Sequence, residues 1–275
     1  MTPRVMGIVN VTPDSFSDGG RLADLDHAID HAMRLVADGA SILDIGGEST
    51  RPGATPVGPA EEMARAIPLI EAVRARWDGP ISIDTMKPEV ARAAVDAGAT
   101  IWNDVSALTF HADSPSTAAQ LGCTVVLMHM KGEPGTMQAD PVYGDVIAEV
   151  AAWLKGRAGI ALAAGIARER IWLDPGIGFG KTAAHNLILT ARLNTLVGLG
   201  YPVLYGASRK RTIQAIDPTA SDPMNRLGGS LALALEAARR GATIVRVHDV
   251  RETVQALKLQ SAVAGIGARG GSPGA

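Results

Sequence analysis

The chain has a single cysteine in 275 residues. One thiol excludes an internal disulfide and a four-cysteine metal site, and it suits a reducing compartment. Cys123 is followed by Thr124, Val125, Val126 and Leu127, so it reads as a small core residue rather than a nucleophile. Aromatic residues are scarce, at 4%, and the net charge is only -2. That balance leaves no global electrostatic case for nucleic acid or an anionic membrane. No apolar run approaches the roughly 18 residues a membrane span needs. The first strand-like run begins almost at once, with no basic flank and apolar signal core before it, so a cytoplasmic protein is expected. The end of the chain, 264–275, is too Gly-rich to pack and is expected to be a disordered tail.

What the chain does have is a rhythm. Short runs rich in Val, Ile and Leu recur and end on polar residues: Asn10, Asp84, Asn103, Asp174, Lys210, Arg246. The runs are Val5 to Val9, Ser41 to Ile45, Ile81 to Asp84, Thr100 to Asn103, Cys123 to Met128, Arg170 to Leu173, Pro202 to Tyr205 and Thr243 to Val247. Parallel strands buried on both faces read as such near-continuous apolar runs. Helical stretches lie between them: His27 to Val36, Ala60 to Arg76, Pro88 to Gly98, Asp145 to Ala164, Gly229 to Arg240 and Asp249 to Val263. Pro88 at a first turn and Gly98 after a last turn are the expected start and stop. Eight such units with no linker favour one closed (β/α)₈ TIM barrel over 1–263; an open doubly wound sheet is the other topology. In a barrel the polar strand ends gather at one mouth, where the chemistry sits.

The mouth has three groups of interest. Asp84, Asn103 and Asp174 end three different strands, and buried carboxylates are costly unless paired. They could hold a metal, pair among themselves, or accept from a donor-rich heterocycle; the amide among them favours the heterocycle. Lys210, Arg246 and His248 bring donors to the rim near strands seven and eight, where barrels commonly bind phosphate. Gly206, Ser208 and Lys210 would share one face of an extended chain. The third group is the first loop, a polar segment with an isolated Phe16 that reads as a lid or as a loop anchored by its own ring. Asn10 at its root offers a neutral oxygen suited to Mg²⁺.

In order along nearly the whole chain stand MGIVNVTPDSFSDGG from Met6, DIGGESTRPGA from Asp44, SIDTMKPEVA from Ser82 and WNDVSA from Trp102. They are followed by VLMHMKGEPGTMQ from Val126, LDPGIGFGKT from Leu173, GASRKR from Gly206 and VRVHDV from Val245. Together these blocks resemble the dihydropteroate synthases. The resemblance implies a (β/α)₈ barrel, a homodimer, Mg²⁺, and condensation of a pterin diphosphate with p-aminobenzoate in folate biosynthesis; the family is the target of sulfonamides. By the same resemblance, Asp84, Asn103, Met128, Asp174, Phe179, Gly206, Lys210 and Arg246 would hold the pterin. Asn10, Arg246 and His248 would hold the diphosphate and Mg²⁺. Phe16, Thr50, Arg51, Pro52, Ser208 and Lys210 would hold p-aminobenzoate, and Asp18 would face the cationic intermediate.

Three positions depart from the family's habit. Ala107 stands where Gly is frequent, Thr212 where an aromatic is common, and Gly135 where a basic residue is frequent. None is a matched site residue, so they bear on inhibitor sensitivity rather than on the reaction. Two other readings share the barrel. A pterin-dependent methyltransferase serving a corrinoid partner binds no diphosphate, which Lys210, Arg246 and His248 argue against. A non-catalytic pterin-binding paralogue is opposed by the complete set of loop residues.

Overall fold

The computed structural model describes residues 2–11, 20–49, 55–132 and 135–269. Its eight strands are β1 Arg4–Asn10, β2 Ile42–Gly46, β3 Ile81–Asp84, β4 Ile101–Asp104, β5 Thr124–Met128, β6 Ile171–Asp174, β7 Leu204–Tyr205 and β8 Ile244–Val247. All named pairings are parallel, in the order β6-β5-β4-β3-β2-β1-β8-β7. A parallel bridge between Leu173 and Val203 joins the two ends of that order and closes the barrel.

The helices are α1 Gly20–Ala37, α2 Pro59–Arg74, α3 Pro88–Asp96, α4 Ser114–Leu121, α5 Val146–Ala163, α6 Ala183–Ala191, α7 Leu193–Val197, α8 Arg211–Ile216, α9 Leu227–Arg239 and α10 Val250–Arg269. The sequence pattern signals α1, α2, α3, α5, α9 and α10. It misses α4, α6, α7 and α8, which are short. Of these, α6 has a readable start, because Thr182 accepts from the His185 N–H at 3.2 Å as its N-cap. At the end of α3, Gly98 adopts φ 112, a left-handed turn that glycine takes at no steric cost. The stretch from 264, expected to lack structure, is helical as far as Arg269. Packing of Val250, Thr253 and Leu257 anchors α10, and once started a helix extends at one hydrogen bond per residue.

Two layers of core follow from the period-two alternation of strands. The larger lies between sheet and helices. The smaller is the barrel lumen, where Met6, Ile42, Ile101, Val126, Trp172, Leu204 and Ile244 pack together. Each of these side chains contributes about 1.5–3 kcal/mol by leaving water. Two residues further along their strands, on the same face, stand Ile8, Asp44, Asn103, Met128, Asp174 and Arg246. The apolar plug thus forms the floor on which the polar groups rest.

Candidate active site

One cavity at the strand ends is lined by Asp84, Asn103, Met128 and Asp174, by Phe179, Gly206, Lys210 and Arg246, and by Val105. The eight residues assigned to the pterin on sequence grounds therefore come together. Val105 was not foreseen; it is a backbone neighbour of Asp104, with no polar group to mark it.

Arg246 organises the floor. Its Nε donates to Asp44 Oδ2 at 2.5 Å, and an Nη donates to Asp84 Oδ2 at 2.7 Å. Asp44 also accepts from Asn103 Nδ2, at 3.2 and 3.4 Å. Asp44 is fully buried, and the sequence reading passed over it. It lies inside an apolar run, but it falls on the lumen face two residues after Ile42, and that phase was the available signal. Burial works against a charge on Arg246, yet Asp44 and Asp84 together hold the guanidinium above its ordinary range. Burial raises Asp84 to about 7, opposed by Arg246. Asp84 Oδ1 has no hydrogen-bond partner among the described residues.

Across the cavity, Asp174 Oδ1 accepts from the Gly176 N–H at 2.6 Å. Burial raises the Asp174 carboxyl, and the Lys210 ammonium opposes it. Lys210 is lowered to about 8 by burial, offset by Asp174. Its Nζ donates to the Ile177 carbonyl and lies 4.5 Å from the Phe179 ring centroid, a cation–π contact. The loop after β6 is held against the loop after β5. A Cβ on Gly176 would lie 1.9 Å from the His129 carbonyl oxygen, so only glycine fits. Lys181 is buried between the two loops and donates to the His129 and Phe179 carbonyls at 3.2 and 2.9 Å. Burial lowers its amine to about 7. The sequence reading assigned Lys181 nothing; no local pattern distinguishes it from a surface lysine.

Gly206, Ser208 and Lys210 do not share an extended face. The strand β7 ends at Tyr205. The chain then turns, with Arg209 at φ 58 and the Lys210 N–H bonded to the Ala207 carbonyl at 3.3 Å. The turn still delivers Lys210 to the cavity. It places Ser208 Oγ 3.0 Å from His248 Nδ1, and that hydroxyl also accepts from the His248 N–H at 3.2 Å. Asn10 ends β1, half-buried. Phe16, Asp18, Thr50, Arg51 and Pro52 lie outside the described residues. Cys123 is buried and its thiol pushed up to about 11, as a core residue should be.

A family model described as pterin binding enzyme matches residues 6–248. The dihydropteroate synthase of Escherichia coli (strain K12) is 48% identical over 260 residues, covering 94% of this chain and 91% of that protein. The chain belongs to the dihydropteroate synthase family. Its structural likeness agrees. The Xanthomonas albilineans dihydropteroate synthase solved with 4-aminobenzoic acid superposes with a TM-score of 0.90 at 52% identity, covering 95% of this chain and 93% of that one. The same enzyme in complex with 7,8-dihydropteroate gives 0.87 at 48% identity, over 95% and 94%. The (β/α)₈ barrel expected for a dihydropteroate synthase is the fold found here. Among the described residues no helix is long and apolar enough to cross a membrane.

Of the three departures from family habit, Ala107 has a visible consequence. It sits at φ 51 and Leu108 at φ 62, both left-handed. Thr212 is buried and accepts from Asn186 Nδ2 at 2.8 Å, while Asn186 Oδ1 accepts from the Gly178 N–H at 2.9 Å. A hydroxyl–amide brace thus stands where an aromatic is common. A Cβ at Gly135 would meet nothing within 4 Å.

Proposed function

We propose that this chain joins 6-hydroxymethyl-7,8-dihydropterin diphosphate to p-aminobenzoate, releasing pyrophosphate and 7,8-dihydropteroate. The observation that carries the reading is the cavity: Asp84, Asn103 and Asp174 face Lys210 and Arg246 across one floor. Carboxylates accept the N–H donors of a pterin edge, and a lysine donates to its carbonyl or ring nitrogen.

The electrophile is the CH₂ between ring and diphosphate. Its C–O bond breaks with the electron pair leaving on pyrophosphate, and the electron-rich dihydropterin supports the cation left behind. The amine lone pair of p-aminobenzoate then forms the C–N bond, and the nitrogen sheds its proton. An aryl amine is neutral at pH 7, so no strong general base is required. Arg246 and His248, at the end of β8, stabilise the charge growing on the departing oxygens. Mg²⁺, when bound, supplies further neutralisation of those oxygens. Asn10 would hold it by its carboxamide oxygen, with phosphate oxygens and water completing the shell. Among the described residues no cluster of three His, Cys, Asp or Glu could hold a metal; an ion arriving with the diphosphate fits that donor set.

The p-aminobenzoate side would be formed by Phe16, Thr50, Arg51, Pro52 and Ser208, with Asp18 facing the cation. Sulfonamides would compete there, as the complex of the Yersinia pestis relative with a sulfonamide drug suggests. The protein would act as a homodimer in the cytoplasm. The decisive test is turnover of the pterin diphosphate with p-aminobenzoate, with and without Mg²⁺. Dihydropteroate and pyrophosphate in equal amounts, dependent on Mg²⁺, are expected. No dihydropteroate under either condition overturns the reading. Light scattering decides the dimer.

A further inference from the structure

The cavity is lined by the cations of Lys210 and Arg246 and by the carboxylates of Asp84 and Asp174. Arg246 is the side chain that spans the floor, and its guanidinium is divided between two carboxylates of different character. Asp44 has no exposed side-chain surface, whereas Asp84 has 13%. Asp44 is bonded to both Arg246 and Asn103. Asp84 gives Oδ2 to Arg246, and its Oδ1 is buried without a hydrogen-bond partner among the described residues.

We infer that Asp44 is a positioning residue for the pterin pocket: it keeps Arg246 by Nε when the Nη leaves Asp84 for the incoming ring, and it sets the amide of Asn103. The second part follows from hydrogen-bond chemistry. A carboxylate only accepts, so Asn103 turns its NH₂ to Asp44 and presents its carbonyl oxygen elsewhere. The floor then offers three acceptors, Asp84, Asn103 Oδ1 and Asp174, and the specificity is for a ligand edge rich in N–H donors. The first part sets the order of contacts. The ring takes the Asp84 oxygens that Arg246 releases. The guanidinium, still tethered, is left beside the ring with its outer nitrogens available to the diphosphate.

This inference rests on the proposed function, and calorimetry with the pterin alcohol lacking diphosphate separates the two. A wild type that binds no pterin alcohol overturns both. If it binds, Asp44→Asn, which keeps size and removes the charge, should weaken binding about 10- to 100-fold, the equivalent of one charged hydrogen bond. The same change in an Arg246→Ala, Asn103→Ala background should cost less than about 3-fold, because nothing remains for Asp44 to position. Equal losses in both backgrounds overturn the inference. In turnover, Asp44→Asn should raise KM for the pterin diphosphate and leave KM for p-aminobenzoate near wild type; a fall in kcat alone, with both KM values unchanged, also overturns it. Should Asp44→Asn fail to fold, the single and double variants at Arg246 and Asn103 still decide: coupled losses are expected, and losses that multiply overturn the inference.

Discussion

Arg246 with Asp44 and Asp84, and Lys87 with Glu48 and Glu62, are each one cation between two carboxylates. Lys87 Nζ is 2.5 Å from both Glu48 and Glu62, and their side chains are 8%, 9% and 0% exposed. Burial disfavours the Lys87 charge, but the two glutamates raise its affinity for the proton. Both clusters leave one carboxylate oxygen without a hydrogen bond among the described residues, Glu62 Oε1 and Asp84 Oδ1. Only the second belongs to a residue that lines the cavity. The Lys87 cluster ties α2 and the start of α3 to Glu48, which also accepts from the Val57 N–H at 3.1 Å. It thereby braces both ends of the second loop. Equal charge sets therefore have unlike settings: one ties helices to a loop, the other lies on the floor of the cavity.

The largest effect should come from breaking the Lys87 cluster. In Lys87→Met two buried carboxylates lose the one cation paired with them among the described residues, a change worth about 3–5 kcal/mol. The melting temperature should drop by roughly 10 °C, while the folded protein binds pterin alcohol nearly as before. Denaturation and calorimetry together check this. A pterin affinity that falls as far as stability does would erase the distinction between the clusters.

Breaking the Arg246 cluster should do the reverse. Arg246→Ala should cost about 3 kcal/mol in kcat/KM for the pterin diphosphate, near 100-fold. It should lower stability less than Lys87→Met does, because the cavity admits water to the abandoned Asp44 and Asp84. Pterin alcohol should weaken much less than the diphosphate. Equal weakening of both ligands would mean that Arg246 acts by stacking rather than by charge.

Asp174 tests the far wall. Asp174→Ala removes a charged acceptor worth about 1.5–3 kcal/mol of pterin binding. Calorimetry with the alcohol should register that loss, and an unchanged affinity would remove Asp174 from the floor.

These residues differ in how far the sequence announced them. Asp84, Asn103 and Asp174 sit at strand ends, where a polar residue interrupts an apolar run. Asp44 sits mid-run and is legible only from the two-residue alternation once the lumen face is known. Glu62 lies within α2, where a glutamate usually faces water, and nothing local marks it as buried. Lys87 and Lys181 acquire meaning from side-chain partners 25 to 52 residues away. The strands were legible because eight doubly buried runs repeat. The short helices α4, α7 and α8 were not, because 8, 5 and 6 residues give too few turns for a period to show. The turn at Ala207–Lys210 was missed because nothing in Ser208-Arg209-Lys210 requires a left-handed residue.

The pH response should sharpen the comparison on one side only. Burial raises Asp84 from 3.8 to about 7. The unfolded chain then releases this proton first, so the contribution of Asp84 to stability declines as pH rises through that interval. Binding runs the other way. The ionised form accepts ring N–H groups, so affinity for pterin alcohol should strengthen as pH rises through about 7. The step should vanish in Asp84→Asn and persist in Lys87→Met. A titration by calorimetry across neutrality that showed no step in the wild type would place the Asp84 proton elsewhere.

The smallest effect concerns another buried carboxylate, one with no cation at hydrogen-bond distance among the described residues. Asp104 accepts from the Ser106 and Leu108 N–H groups at 2.7 and 2.8 Å and from Ser106 Oγ at 2.7 Å. Burial still raises it to about 6. Its backbone donors are supplied by a loop that must turn left-handed at Ala107 and Leu108, and Arg157 donates to both of their carbonyls, at 2.8 and 3.0 Å. A left-handed alanine costs about 1–2 kcal/mol. Glycine removes that strain but adds about 0.5–1 kcal/mol of unfolded-state entropy. Ala107→Gly should therefore stabilise by about 0.5–1 kcal/mol, the difference of those two terms, with pterin affinity and kcat unchanged. Urea denaturation at fixed pH reads the gain. A destabilised Ala107→Gly variant would show that the alanine methyl, fully buried in the core, contributes more by packing than the backbone loses by strain. The loop would then be set by its side chains, and not by the hydrogen bonds that Asp104 and Arg157 make to it.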